Sequence, residues 1–244
     1  MRLAATGTTD VGLRRERNED AFLLLPEGGL FAVADGLGGH ASGEVASRLA
    51  VETLRDAFSA HPGDAAGRLR EAVLAANRTV HARSAADPRL SGMGTTLVAA
   101  AFPERGPVAV AHVGDSRAYL FREGRLVRLT EDHTLLSEFI REASPTEEEI
   151  AAYPHKHVVV RALGMRDAVE VDLALVDVRE GDLLLLCCDG LFGMVTDDGM
   201  AAILREEGAD VLRANQLLVD AAIDAGGGDN VTSVLVEVVE RPAG

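Results

Sequence analysis

Tryptophan is absent from the 244-residue chain, and aromatic residues make up only 4% of it. A core with so few rings has to be packed from Leu, Val, Ile and Ala. Only two cysteines occur, adjacent at Cys187 and Cys188 inside an apolar run. Neighbouring cysteines seldom bridge and no third is available, so a disulfide framework is excluded. Both are expected as small buried hydrophobes in a reducing compartment. No apolar run approaches the roughly 18 residues of a membrane span, and Met1 to Asp10 lacks the apolar stretch of a signal peptide. A cytoplasmic location with no membrane partner is therefore expected. Positive charge is scarce too: 24 basic against 39 acidic side chains leave a formal charge of −15. Such a surface disfavours nucleic acid and anionic lipid. It also repels free phosphate, so a phosphate-processing site here needs local positive charge from an arginine or a bound cation.

What is present is ordinary for a globular protein, with 47% hydrophobic and 26% charged residues. The length suits one large domain over residues 1–244. Short apolar runs predict strands at Leu30–Ala34, Thr95–Ala101, Val108–Val113, Ala118–Phe121, Leu183–Cys188 and Val231–Val238. Helical spacing of Val45, Leu49, Leu54 and Phe58 predicts one helix, and that of Leu69, Val73, Ala76 and Val80 a second. Thr196 before Asp197 and Asp198 reads as the cap of a third. A fourth is expected from about Asp210 to Asp224, with Val211, Ala214, Leu218 and Ala222 inward. Thr134–Arg161 breaks the strand series with polar, helix-prone sequence, Pro145, Pro154 and Glu147–Glu149. It is expected to form an exposed flap.

One pattern recurs three times: an apolar strand running into aspartate and then a small residue. The instances are Asp35-Gly36, Asp115-Ser116 and Asp189-Gly190. Asp229-Asn230 stands just before a strand, and Asn18-Glu19-Asp20 before another apolar run. Each Asp-Gly pair alone is an ordinary turn. Gathered at one sheet edge, however, these carboxylates repel one another and lose solvent, a cost that divalent cations relieve. All-oxygen donors of this kind suit Mg²⁺ or Mn²⁺. A nucleotide site at Gly36-Leu-Gly-Gly39 is disfavoured, because no Gly-Lys-Ser/Thr follows.

Eight short elements, in order, resemble the metal-dependent protein phosphatases (the PPM, or type 2C, family) in compact bacterial form. They are Asp10-Val-Gly-Leu-Arg-Arg15-Glu-Arg-Asn-Glu19-Asp20, Ala34-Asp35-Gly-Leu-Gly-Gly-His40-Ala-Ser-Gly-Glu44, Gly94-Thr-Thr96 and His112-Val-Gly-Asp-Ser-Arg-Ala-Tyr119. After these come Leu129-Thr-Glu-Asp-His133, Arg161-Ala-Leu-Gly164, Cys188-Asp189-Gly190 and Gly228-Asp-Asn-Val-Thr232. The resemblance spans nearly the whole chain. It implies an α+β fold, a sandwich of two antiparallel β-sheets flanked by α-helices, with the metal site at one end. By position, Asp35 is expected to bridge two Mn²⁺ or Mg²⁺ ions, with the Gly36 carbonyl on one of them. Asp189 and Asp229 are expected to hold the other. Glu19 and Asp20 contact metal directly or through its waters, and Asp115 with Asp189 resembles a third, weaker metal site.

The implied reaction removes phosphate from serine or threonine side chains by direct attack of a water shared between the ions. Arg15 is expected on the phosphoryl oxygens, where its planar fork of donors fits, and His40 as the acid for the leaving oxygen. The implied partners are phosphorylated proteins, a Ser/Thr kinase or its targets. His112 is expected to be a packed, hydrogen-bonded residue rather than a ligand, and His133 to order the start of the flap. The flap departs from many bacterial relatives at Glu142-Ala-Ser-Pro-Thr146 and at His157, which bears on substrate choice rather than chemistry. Two rivals stand beside this reading: a small-molecule phosphohydrolase, and a silent relative that only binds. A silent relative lacks metal acids, and none is missing here.

Overall fold

The computed structural model describes residues 1–38 and 41–240. The first half runs β1 (Arg2–Asp10), β2 (Asp20–Leu25), β3 (Leu30–Leu37), α1 (Ala41–Ala60), α2 (Ala65–Ala86), β4 (Gly94–Thr95), β5 (Leu97–Ala101), β6 (Val108–Val113), β7 (Arg117–Arg122) and β8 (Arg125–Arg128). Then follow α3 (Leu135–Ala143), α4 (Glu147–Ala152), β9 (Asp172–Val176), β10 (Leu183–Cys187), α5 (Asp189–Phe192), α6 (Asp197–Glu207), α7 (Val211–Asp224) and β11 (Val231–Glu240). One sheet has the order β1-β11-β10-β7-β8. The other runs β2-β3-β5-β6-β9, with β4 beside β3. Every strand pair is antiparallel, and the expected helix-flanked sandwich is what forms.

Three apolar layers explain why the central strands read as unbroken apolar runs. Alternate residues of a strand face opposite ways, and here both faces are covered. In β3, Leu30, Ala32 and Ala34 pack against α1 and α2, while Phe31 and Val33 enter the layer between the sheets. In β10, Leu184 and Leu186 fill that inter-sheet layer, whereas Leu183 and Leu185 meet α6 and α7. The two-faced burial extends to β11, where Val234, Val236 and Val238 turn inward and Leu235 packs under the helices. Small side chains do much of this work, with Ala32, Ala99, Ala100, Ala109 and Ala111 all fully buried.

The expected strand Thr95–Ala101 is interrupted at Thr96, for a reason that serves the site. The Thr96 backbone N–H donates to the Asp35 carbonyl (2.9 Å) and its hydroxyl accepts the Asp35 N–H (3.1 Å). The Thr95 hydroxyl also donates to the Asp35 carbonyl, at 2.8 Å. Asp35 itself lies inside β3 rather than beyond its end, directly opposite Asp20 of β2. The strands β1, β2, β8 and β9, which lie at sheet edges, were not among the expected strands, although β2 coincides with the apolar run after Asp20. The predicted flap is present: α3 and α4 contain no buried residue, and Thr146 with Glu149 forms a capping box that fixes the start of α4.

Candidate metal centre

Five chain segments converge at one end of the sandwich: the start of β2, the end of β3, the loop after β6, the β10–α5 junction and the loop before β11. Antiparallel pairing sets Asp20 opposite Asp35, an arrangement of like charges that is unfavourable by itself. Oxygen atoms of both and the Cys188 Sγ lie within 4.8 Å of one another. Both Asp20 carboxylate oxygens are buried with no hydrogen-bond partner among the described residues. Asp115 is buried at the end of β6.

The electrostatics follow from that crowding. Burial, then repulsion from Asp20, Asp189, Asp115 and Asp229, holds the Asp35 carboxyl well above the usual range. Burial raises Asp20 to about 7, partly offset by the Thr232 and Cys188 side chains and reinforced by Asp189 and Asp229. Asp115 also rises to about 7, from burial first and then from Asp189. Asp189 is raised by burial and by Asp229, against a hydrogen bond to Asp35 and the nearby charges of His157 and Arg15. A cluster of buried and half-buried carboxylates that disfavours its own ionisation, with the two unpartnered Asp20 oxygens inside it, fits divalent cations held through oxygen.

Arg15 and Asp229 were expected to face a phosphate and a metal ion. In the structure they pair with each other, the Arg15 Nη2 donating to Asp229 Oδ2 at 2.7 Å. That hydrogen bond raises the guanidinium's affinity for its proton. The Arg15 side chain is 54% exposed and that of Asp229 36%, so the pair is worth about 1 kcal/mol or less and is easily exchanged. A cavity of about 200 Å³ opens beside it, lined by Arg15, Glu16, Arg17, Glu19 and Asn230. Gly36 is required for a closer reason than an ion's approach. A side chain there would strike the backbone carbonyls of Gly43 and Glu19. The Glu19 carboxylate packs against Gly43, in the first turn of α1, where negative charge is favoured. His40 lies outside the described residues.

Asn230 was legible only as part of a loop, yet it organises the arginine-bearing segment. Its side chain accepts from the Glu19 N–H (2.8 Å) and donates to the carbonyls of Val11 (3.0 Å) and Arg17 (2.9 Å). Gly190 packs against the Asn230 carbonyl so closely that any side chain there would collide with it. No local sequence signal announces a clamp between positions more than 200 residues apart.

A second cluster, His112, His133 and Asp172, is structural. The imidazoles stack with centroids 4.6 Å apart and planes at 22°, so their in-plane lone pairs do not converge on one ion. His112 Nε2 meets the Glu131 carbonyl at 2.7 Å, and His133 Nδ1 accepts from the Gly114 N–H at 3.0 Å. Burial keeps both rings neutral, His133 being lowered to about 4. His133 also bridges to Val160 through its carbonyl (2.9 Å), closing the base of the flap as expected.

The two-sheet sandwich thus brings a cluster of carboxylates and an arginine together at one end. The protein phosphatase 2C family model matches residues 13–224, and the chain belongs to that family. It is 38% identical over 237 residues to the serine/threonine protein phosphatase PstP of Mycobacterium tuberculosis, covering 97% of this chain and 45% of that protein. The chain thus spans about half the length of that relative. Against the serine/threonine phosphatase stp of Listeria welshimeri, identity is 38% over 243 residues, with 94% and 93% covered. Among solved structures, a catalytic domain of PstP in complex with two manganese ions superposes with a TM-score of 0.85 at 37% identity, covering 98% of this chain and 99% of that one.

Proposed function

We propose that the chain hydrolyses phosphoserine and phosphothreonine on proteins, using two divalent metal ions. The observation that carries this is the half-buried Asp20–Asp35 pair, with both Asp20 oxygens buried and unpartnered among the described residues, set beside an arginine whose partner is exchangeable. Asp35 and the Gly36 carbonyl, with Asp189 and Asp229, would hold the two ions. Glu19 and Asp20 would contact them directly or through water, and Asp115 with Asp189 would form a third, weaker site. Bound there, divalent cations acidify a water near neutral pH and neutralise charge on the phosphoryl oxygens. Arg15 swings from Asp229 to the phosphoryl group and presents two donors to its equatorial oxygens. Asn230 holds the loop that carries Arg15 at a fixed distance from the acids. His40, placed by position alone, donates the proton that a serine or threonine oxygen needs in order to leave.

Manganese is the favoured ion, by likeness to the manganese-bound PstP domain; magnesium has the same oxygen preference. The chain acts as one catalytic domain, 1–244, whose flap of about residues 134–161 influences which proteins enter. The substrates are targets of a serine/threonine kinase, or the kinase itself, in the cytoplasm. Among the described residues no helix is long and apolar enough to cross a membrane. Phosphate release from a phosphothreonine peptide is expected with Mn²⁺ and not with excess chelator. Faster turnover of nucleotides or sugar phosphates than of the peptide would favour the small-molecule reading. No turnover of any phosphoester would leave only a binding role.

A further inference from the structure

We propose that His133 is a positioning residue for Asp115: it grips both polar backbone groups of Gly114, and so ties the loop that carries this acid to the base of the flap. The Gly114 N–H donates to His133 Nδ1 at 3.0 Å, and the His133 N–H donates back to the Gly114 carbonyl at 3.0 Å. The His133 carbonyl in turn accepts the Val160 N–H at 2.9 Å. One residue thus joins the loop after β6 to the end of the flap. Gly114 suits the grip. Its φ of +105° favours glycine, and a side chain there would strike Thr96. On the other side of Asp115, the Ser116 hydroxyl meets the Thr96 hydroxyl at 2.7 Å. Asp115 therefore sits between two anchors. Ser116 leads through Thr96 to the Asp35 N–H, and Gly114 leads through His133 to the flap.

The same contacts fix the state of the ring. A backbone N–H can only donate, so Nδ1 carries no proton and the neutral imidazole keeps its hydrogen on Nε2. Nε2 faces Asp172 Oδ2 at 3.5 Å, and Arg161 holds that carboxylate by its other oxygen at 2.6 Å. His112 stacks on the ring and is itself anchored on the Glu131 carbonyl, which keeps the plane from turning. Buried on this side by His112 and steered from the other by Asp172, Nδ1 is an acceptor of fixed direction. The effect on catalysis rests on the phosphatase reading. The grip on Gly114 does not.

His133→Ala is expected to lower kcat for Mn²⁺-dependent release of phosphate from a phosphothreonine peptide by about tenfold, the scale seen when groups that orient metal ligands are lost. KM should change little. His133→Asn, whose Oδ1 takes the place of Nδ1, restores most of the rate. Added to Asp115→Ala, His133→Ala brings no further loss, because it acts through that acid alone. Losses that multiply in the double variant, or His133→Asn as slow as His133→Ala, overturn the proposal. Two readouts need no turnover. Nitrogen NMR shifts of the imidazole in the metal-free full chain are expected to show the Nε2–H tautomer. The Gly114 amide should exchange with solvent about tenfold faster in His133→Ala than in the wild type, and at the wild-type rate in His133→Asn. An Nδ1–H tautomer, or a Gly114 amide indifferent to His133→Ala, overturns the proposal as well. Should His133→Ala unfold, His133→Gln, whose acceptor lies one bond further out, replaces it in both assays. A wild type without turnover removes the phosphatase reading, and the tautomer with the Gly114 exchange then decides the grip.

Discussion

At Asp35, burial and four other aspartates push the carboxyl towards the neutral form. Its backbone N–H and carbonyl are held by Thr95 and Thr96. The acids around it are unequal. Asp115 sits apart in the loop after β6 and reaches the centre through Asp189. Replacing Asp115 by alanine is expected to lower turnover while leaving two manganese ions per chain, measured by metal analysis after gel filtration. Loss of all manganese would show that no separate third site exists. His40→Ala is expected to slow an alkyl phosphate more than an aryl phosphate, because a phenolate leaves without a proton. Equal losses on both, in steady-state assays, would remove the acid role. The acids were legible in the sequence because apolar runs stop at Asp35-Gly36, Asp115 and Asp189. The closeness of Asp20 to Cys188 was not, since it arises only when β2 and the β10–α5 junction meet across the sandwich.

Among the elements, the segment from Val11 to Glu19 has no regular strand or helix, and Asn230 supplies three of its anchors. Losing a part-buried amide that serves three backbone groups costs about 1–3 kcal/mol. Asn230→Ala is accordingly expected to raise KM for a phosphopeptide more than it lowers kcat, as Arg15 loses its fixed place. A fall in kcat with KM unchanged would mean that the clamp acts on the acids instead. The central strands and both long helices on the β3 side could be read directly, because helical spacing and two-faced burial leave strong patterns. Edge strands could not. The exposure of β8 and β9 alternates between exposed and half-buried residues, and β1 has a single large apolar residue, Leu3, with Gly7 in its middle, so no apolar run marks it. Asn230 gave no warning either, because its partners in the loop lie 211 and more positions away.

Over the whole molecule, the acidic balance and the buried acids make stability depend on pH and on cations together. The carboxyl of Asp20 is raised from its ordinary 3.8 to about 7. Between those values the folded chain holds a proton that the unfolded chain has released. Metal-free stability from this group is therefore full below about pH 4, falls as pH rises to about 7 and stays low above. Asp20→Asn lacks that dependence. In chelator, the variant is expected to unfold at higher urea than the wild type at pH 8, and the difference should shrink towards pH 5. A constant difference would deny the shift. Divalent ions reverse the penalty by mass action, since they bind the assembled cluster and not the unfolded chain. Titration calorimetry of Mn²⁺ into metal-free protein is the most direct test of the carboxylate cluster as a metal centre. Two ions per wild-type chain and almost no heat with Asp35→Asn are expected; a wild type that binds none, or an Asp35→Asn variant that still binds two, would contradict it.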